Sequence, residues 1–349
     1  MESDPRIEST VATRTHGSAG TYDVGVVGAG RIASTAHLPV LHNIDGVRIK
    51  YVADIDGTRA RRMGRSYGAK GIETDDAAAL PECDVALLAV PVTVREPYVA
   101  EFGRRGTAVF SEKPFALNPE EHRRFLAHLD DVSCNYLRLC FGSTRRAREV
   151  VEAGVFGAVE RVVCREGGIV GPTGLSSSGF GADERLRDRY MLLDRSCHGL
   201  SQILYAFPGG ELSVEASAME WQRGFDVDLR AELSLSYGGR EVPVEFELTR
   251  VRPVETAFRI EFEHAVVEFS TGKPDARLSV TGTGEGGSSL AFDPHPDAAS
   301  TFAQAAYLRW MGFLDSLAGE RAGTIGTAPE ITELMTDMYD LATDSRGGE

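Results

Sequence analysis

A doubly wound α/β nucleotide-binding domain (α/β class) followed by a domain built on an open mixed or antiparallel β-sheet (α+β class) is the architecture this sequence predicts, and three observations carry it. A glycine turn, Gly28-Ala29-Gly30-Arg31-Ile32-Ala33, separates the β-rich run DVGVV from a stretch with apolar residues at helical spacing, Ile32, Leu38, Val40 and Leu41. Downstream, uninterrupted apolar runs such as DVALLAVP alternate with helical patterns, the mark of a parallel sheet covered on both faces. From residue 158 onward apolar and charged residues alternate within long runs, as in a sheet with one buried and one wet face. At 349 residues the chain exceeds one ordinary core. The expected divisions are a leader at 1–20, a dinucleotide-binding domain at 21–140, a substrate and oligomerisation domain at 141–325, and a C-terminal helix and tail at 326–349.

The composition, 42% hydrophobic and 26% charged, is that of a folded soluble chain. A formal charge of −15 leaves no basic surplus for nucleic acid or an anionic membrane. No apolar run is long enough to span a bilayer. The first twenty residues lack an apolar core and contain acids, so they read as a disordered leader and not as a secretory signal. Five scattered cysteines without CxxC spacing predict neither a disulfide framework nor a metal site, and the expected compartment is the cytoplasm.

Each part of the first domain has a physical reason. Gly28 permits a tight turn, Gly30 lets backbone amides approach a pyrophosphate, and the small Ala33 lets the helix sit close to its strand. The second strand, VRIKYVADID, carries Asp54, 24 residues beyond Gly30, where an acid accepts hydrogen bonds from ribose hydroxyls and repels a 2′-phosphate. NAD is therefore the expected cofactor; Arg59 leaves NADP possible, and the competing reading of Asp54 is a helix N-cap. RARRMGRSYGA and VREPYVAEFGRRG read as helices, and AVFSEKP as a further strand. That strand ends in Glu112-Lys113-Pro114, and Lys113 is one of four lysines, with Lys50, Lys70 and Lys273, among 37 basic residues. A compact ammonium is a point charge whose proton affinity shifts readily with its surroundings, which a planar, always-charged guanidinium does not offer.

The glycine turn, the acid ending the second strand and the EKP tripeptide together resemble the glucose-fructose oxidoreductase, inositol dehydrogenase and rhizopine-catabolism (Gfo/Idh/MocA) family, over residues 22 to 345. The resemblance implies that Lys113 reaches into an active site beside a proline that is often cis. It implies cofactor contacts from Gly28, Gly30, Arg31, Ile32, Asp54, Pro91, Glu112 and Lys113, and a later DxxxH element. That element is present as Asp194 and His198 in RDRYMLLDRSCHGLSQILYAF, on a helical pattern in which an i, i+4 pair shares one face. Lys113, Asp194 and His198 are then the expected catalytic residues. The stretch with Arg138, Gly154 and Gly157 resembles the family's join between domains. There are departures: Arg95 stands four residues after Pro91 where the family often has histidine, RLRDRYMLL replaces a glycine-rich run, and Ser201 stands where a second aspartate is common.

In the second domain the runs VERVVCRE, LSVEASAMEW, VDLRAELSLSY, EVPVEFELTR, AFRIEFEHAVVEFS and ARLSVTG read as strands. The glycine- and serine-rich residues 167–189 are expected to form a lid or substrate loop, in which Arg185, Arg187 and Arg189 either bind an anion or are plain surface. What the resemblance implies is an NAD(P)-dependent dehydrogenase or ketoreductase acting on a secondary alcohol or ketone of a sugar, sugar derivative or cyclitol, in a homodimer or homotetramer. A non-catalytic cofactor-binding regulator and an NAD-dependent glycosidase are the alternatives.

Overall fold

The computed structural model describes residues 21–170, 183–284, 287–319 and 326–344, so the expected leader and most of the 167–189 loop lie outside the described residues. The chain forms two compact units, Met1–Asn135 with Phe302–Pro329, and Tyr136–Thr301 with Glu330–Glu349.

The first unit is a six-stranded sheet of β1 (Tyr22–Val27), β2 (Val47–Asp54), β3 (Lys70–Glu73), β4 (Val85–Leu88), β5 (Ala108–Ser111) and β6 (Val132–Cys134). The order is β3-β2-β1-β4-β5-β6, and every pair is parallel. This is the Rossmann order, with its reversal between β1 and β4. Strands β4 and β5 are buried at every position, which is why they read as unbroken apolar runs. The short β3 and β6 escaped the sequence pattern: four and three residues leave no period to detect.

The first helix opens as a π turn, Ala33–His37, and continues as α1 (Leu38–Leu41). In α2 (Gly57–Ser66) the cap is Asp56, whose side chain accepts from the amides of Thr58 and Arg59. α3 spans Glu96–Arg104. α4 (Pro119–His128) starts with a reciprocal capping pair, Asn118 Oδ1 accepting from the Glu121 amide at 2.8 Å and Glu121 Oε2 from the Leu117 amide at 2.6 Å.

One segment joins the first unit against expectation. Helix α7 (Phe302–Leu317), expected in the second domain, packs on the Rossmann sheet: Trp310 stacks on Phe110 with ring centroids 4.2 Å apart, and Arg309 donates to Ser133 Oγ at 3.1 Å and Cys134 O at 2.6 Å. The reason is burial. Trp310 and Phe110 are both fully buried, and each supplies the apolar surface the other needs.

The second unit holds an eight-stranded sheet in the order β14-β13-β12-β11-β7-β10-β9-β8. Its strands are β7 (Val159–Gly167), β8 (Glu211–Gln222), β9 (Phe225–Tyr237), β10 (Arg240–Thr249), β11 (Ala257–Phe262), β12 (Ala265–Phe269), β13 (Leu278–Gly282) and β14 (Ser289–Phe292). β7 and β10 are parallel and the other pairs antiparallel, so the sheet is mixed. The run AFRIEFEHAVVEFS is two strands, with Glu263 and His264 at the turn. Pro243 is tolerated inside β10 because pairing with β7 begins only at Val244, so no β7 residue is aligned with the proline.

α5 (Gly142–Ala153) and α6 (Cys197–Ala206) lie beside each other, joined by Gln202 Nε2 donating to Thr144 Oγ1 at 2.7 Å. α6 also sits hard on the sheet: a Cβ on Gly199 would come within 2.7 Å of Phe246 and 2.9 Å of the Cys164 sulfur. The residues between these apolar ones in β7, β10 and β11 carry a ladder of ion pairs, among them Arg165 to Glu245 (3.1 Å) and Glu247 (3.2 Å), and Arg259 to Glu261 (2.8 Å). α8 (Pro329–Asp344) closes the unit, its Tyr339 hydroxyl donating to Asp188.

Candidate active-site residues

At the carboxyl end of β1 the chain turns through Gly28 at φ 94°, where a Cβ would lie 2.6 Å from the Ala89 carbonyl just past β4. Only glycine fits, at the point where the strand order reverses. A Cβ on Gly30 would meet nothing within 4 Å, so the outer side of the turn is open, and Arg31 and Ile32 are exposed beside it. Asp54 braces this turn from the end of β2. Its Oδ2 accepts from the Ala29 amide at 2.7 Å, and its Oδ1 from the Asp56 amide at 2.8 Å. The N-cap reading of Asp54 is thereby excluded, since Asp56 caps α2. Arg59 Nε stands 3.9 Å from Asp54 Oδ1 and its NH2 reaches Asp56 at 3.3 Å.

The same edge of the sheet carries Glu112-Lys113-Pro114 after β5, with a cis Lys113–Pro114 bond. The Lys113 side chain is half-buried. Glu112, expected among the cofactor contacts, turns its carboxylate inward instead. Oε1 accepts from His37 Nε2 and Asn135 Nδ2, both at 2.7 Å, and Oε2 from the Lys113 amide at 3.2 Å. The Trp310 indole, which can only donate, gives its proton to His37 Nδ1 at 3.0 Å, so the imidazole proton sits on Nε2 and faces Glu112. Burial pushes the Glu112 carboxyl upward, but the bonds from His37 and Asn135 and the Lys113 charge outweigh it and hold it below the ordinary range. The loop after β4 is tied to the same place. Pro91 opens the turn Val92–Val94, and the buried Arg95 donates to Val90 O at 3.1 and 3.2 Å, to Phe115 O at 3.3 Å, and to Pro114 O. Arg95, at the position where the resemblance leads to an expectation of histidine, ties these two backbone segments together.

In the second unit Asp194 lies in a π turn, Leu192–Ser196, and His198 in α6 directly after it; both are half-buried. The expectation of a regular i, i+4 helical pair is corrected: the wider turn inserts a residue and shifts the face on which Asp194 stands. Such turns recur at functional sites. The start of this segment is held by Asp226, fully buried, which accepts from the amides of Met191 (2.7 Å) and Leu192 (2.8 Å). Burial raises the Asp226 carboxyl to about 7. From pH 3.8 to about 7 the folded protein therefore holds a proton that the unfolded chain has released, and stability falls with rising pH until it levels above 7. The total loss is about 4 kcal/mol at most. Replacing Asp226 by Asn removes this titration, so the difference in unfolding free energy between the two proteins, measured by urea denaturation, changes by a few kcal/mol across that window. A difference that is flat with pH contradicts the assignment.

Around Asp194 stands a charge cluster that the motif does not include. Glu166, on β7, receives Arg138 NH1 at 2.7 Å and Arg195 NH1 at 3.0 Å. Asp194 Oδ2 is 3.1 Å from Arg195 Nε and 4.0 Å from Arg250 NH2. Burial raises the Glu166 carboxyl, but Arg138, Arg195 and Arg250 bring it below its usual value. By contrast, Arg185 pairs with Asp183 at 2.7 Å, Arg187 with Glu184 at 3.1 Å, and Arg189 lies over the Tyr339 ring at 5.6 Å, so these three have protein partners.

His37, Asn135, Trp310, Glu166, Arg195, Arg250 and Asp226 were not expected from the sequence. A single signal pointed toward one of them: Arg195 sits inside the DxxxH string itself. A cleft of about 320 Å³, lined by Asp75, Asp76, Pro97 and Arg104, contains none of the site residues. No helix among the described residues is long and apolar enough to cross a membrane, and no metal-binding cluster is found among them.

Residues 22–137 match the family model described as an oxidoreductase family with an NAD-binding Rossmann fold, GFO_IDH_MocA. The chain is 30% identical over 149 residues to an inositol 2-dehydrogenase of Rhizobium meliloti, covering 41% of this chain and 44% of that protein. It is also 30% identical over 152 residues to the rhizopine catabolism protein MocA of Rhizobium meliloti, 41% of this chain and 46% of that protein. The aligned part thus spans less than half the length of these relatives. Among solved structures, a levoglucosan dehydrogenase in complex with NADH and levoglucosan superposes with a TM-score of 0.77 at 14% identity, covering 93% of this chain and 98% of that one. A 3-ketoreductase from Actinomadura kijaniata with TDP-benzene and NADP gives 0.73 at 17% identity, covering 91% and 96%, a likeness of fold. The glycine turn, the braced acid and the EKP strand end all lie within residues 22–137, the part of the chain that matches the Gfo/Idh/MocA oxidoreductase family model.

Proposed function

We propose that this protein is an NAD(P)-dependent dehydrogenase or ketoreductase acting on a secondary alcohol or ketone of a sugar, sugar derivative or cyclitol. The observation that carries the reading is the shared carboxyl edge of one parallel sheet, which bears both the Gly28 turn after β1 and Lys113 after β5. The residues suit the cofactor. Gly28 adopts a conformation open to glycine, Gly30 leaves room for a close approach, and each Asp54 oxygen, having accepted one amide, retains capacity for a ribose hydroxyl. Gly28, Gly30, Arg31, Ile32, Asp54 and Pro91 are the proposed contacts, with Glu112 acting by holding Lys113. When bound, the nicotinamide supplies the hydride-exchanging carbon.

The chain's own groups manage charge and protons. His198 exchanges a proton with the reacting hydroxyl, Asp194 orients the imidazole or binds a neighbouring hydroxyl, and Lys113 steadies the developing alkoxide. The inositol 2-dehydrogenases and the levoglucosan dehydrogenase support a carbohydrate-like substrate. A homodimer or homotetramer belongs to the same reading, to be checked by light scattering on the eluting protein.

Cofactor choice is tested by fluorescence titration. Asp54 predicts NADH binding at least about tenfold tighter than NADPH, a difference of about 1.4 kcal/mol; tighter NADPH removes that role. Turnover is tested at 340 nm with a polyol and sugar panel. No turnover across the panel favours a cofactor-binding regulator, and release of an aglycone without net NADH favours a glycosidase.

A further inference from the structure

The motif residues leave one part of the second unit unexplained, the buried guanidinium of Arg250. The residue is 9% exposed, makes no hydrogen bond through its side chain among the described residues, and has as its ion pair there a single contact, 4.0 Å to Asp194. Its Nε is buried without an acceptor. Arg195 repeats the pattern. Its NH1 is bonded to Glu166, yet its Nε, though 3.1 Å from Asp194, lacks the alignment for a hydrogen bond.

The charges do not balance. Arg138, Arg195 and Arg250 face Glu166 and Asp194, three positive groups against two negative. Glu166 is already shared between Arg138 and Arg195, so it satisfies neither Arg250 nor the Arg195 Nε. Burial and the neighbouring Arg195 together depress the Arg250 guanidinium below its ordinary value. A buried, underpartnered charge costs free energy that a counterion of the right shape returns, and a guanidinium presents paired donors to an oxyanion.

We propose that Arg250, with Arg195, binds an anionic oxygen group, a carboxylate or a phosphate, carried by the substrate beside Asp194. This rests on the dehydrogenase reading above and narrows its substrate class from neutral polyols to sugar acids or sugar phosphates. Arg250 is then the specificity residue, and the three Arg185, Arg187 and Arg189 candidates are not.

The test has two arms. In the first, inorganic phosphate and acetate are titrated separately into the intact protein at constant ionic strength, followed by calorimetry. Saturable binding of either is expected, weakened at least about 30-fold in Arg250→Met and retained in part in Arg250→Lys. NADH binding, which resides in the first unit, reports that each variant is folded. In the second arm, kcat/KM is compared for a sugar acid, a sugar phosphate and the parent neutral sugar. A preference of at least about 100-fold for one anionic form is expected, and which form wins identifies the anion. Absence of anion binding, with turnover of neutral sugars, overturns the proposal and leaves the dehydrogenase intact. Anion binding without any turnover upholds the site and removes the redox reading. Equal anion binding by wild type and Arg250→Met also overturns the proposal.

Discussion

Replacing His198 by Ala is expected to lower turnover by about 10² to 10⁴, the range lost when a general acid-base group is removed. The change should fall on kcat, with KM little altered, because the imidazole is assigned to the proton in flight and not to substrate anchoring. NADH affinity should stay within about twofold, since the glycine turn and Asp54 lie in the other compact unit. Folding is a lesser concern at half-buried His198 than at buried Gly199 beside it, where a Cβ would come within 2.7 Å of Phe246 and 2.9 Å of the Cys164 sulfur. Steady-state kinetics on the best substrate of the panel decides it, and an unaltered kcat removes His198 from the mechanism.

The second large effect is on stability and concerns Glu112. Its carboxylate is the shared acceptor for His37, Asn135 and the Lys113 amide, in a site where Glu112 is 7% exposed and His37 not at all. Glu112→Ala strands two buried donors and is expected to cost about 3 kcal/mol or more, read from urea or thermal unfolding. Glu112→Gln, with its amide oxygen in the place of Oε1, keeps the acceptor for both His37 and Asn135 but turns an amide N–H toward the Lys113 N–H, so a smaller loss is expected. The conservative variant also has a functional readout: kcat should drop while NADH affinity holds, because the backbone that places Lys113 has lost its anchor. Loss below about 0.5 kcal/mol for Glu112→Ala shows that the network is dispensable.

What the sequence disclosed was whatever is written locally. Gly28, Gly30 and Asp54 announce themselves because a turn and a strand end are short-range features, and Lys113 and His198 because each stands in a tripeptide or pentapeptide string. Partners were invisible for the opposite reason. Trp310 and His37 are 273 positions apart, and His37 and Glu112 are 75 apart, so neither bond leaves a trace in any window of sequence. The two π turns were missed because one inserted residue scarcely alters a hydrophobic period averaged over a helix. Nothing in the residues around Asp226 singles it out; only the fold shows it under the amides of Met191 and Leu192. The distinction between Asp54 and Asp56 needed coordinates, since two acids two residues apart suit the same cap on paper.

The place of α7 bears on the order in which the polypeptide acquires its shape during synthesis. Asn135 leaves the ribosome long before Phe302, and at about 5–20 residues per second the interval is roughly 10 to 30 s. Throughout it Phe110 lacks the Trp310 ring and His37 lacks the indole donor, so the part translated first stays incomplete until nearly the whole chain has been made. A nascent chain halted at residue 301 should accordingly expose an aromatic surface that chaperones recognise, and full-length release is the event that covers it.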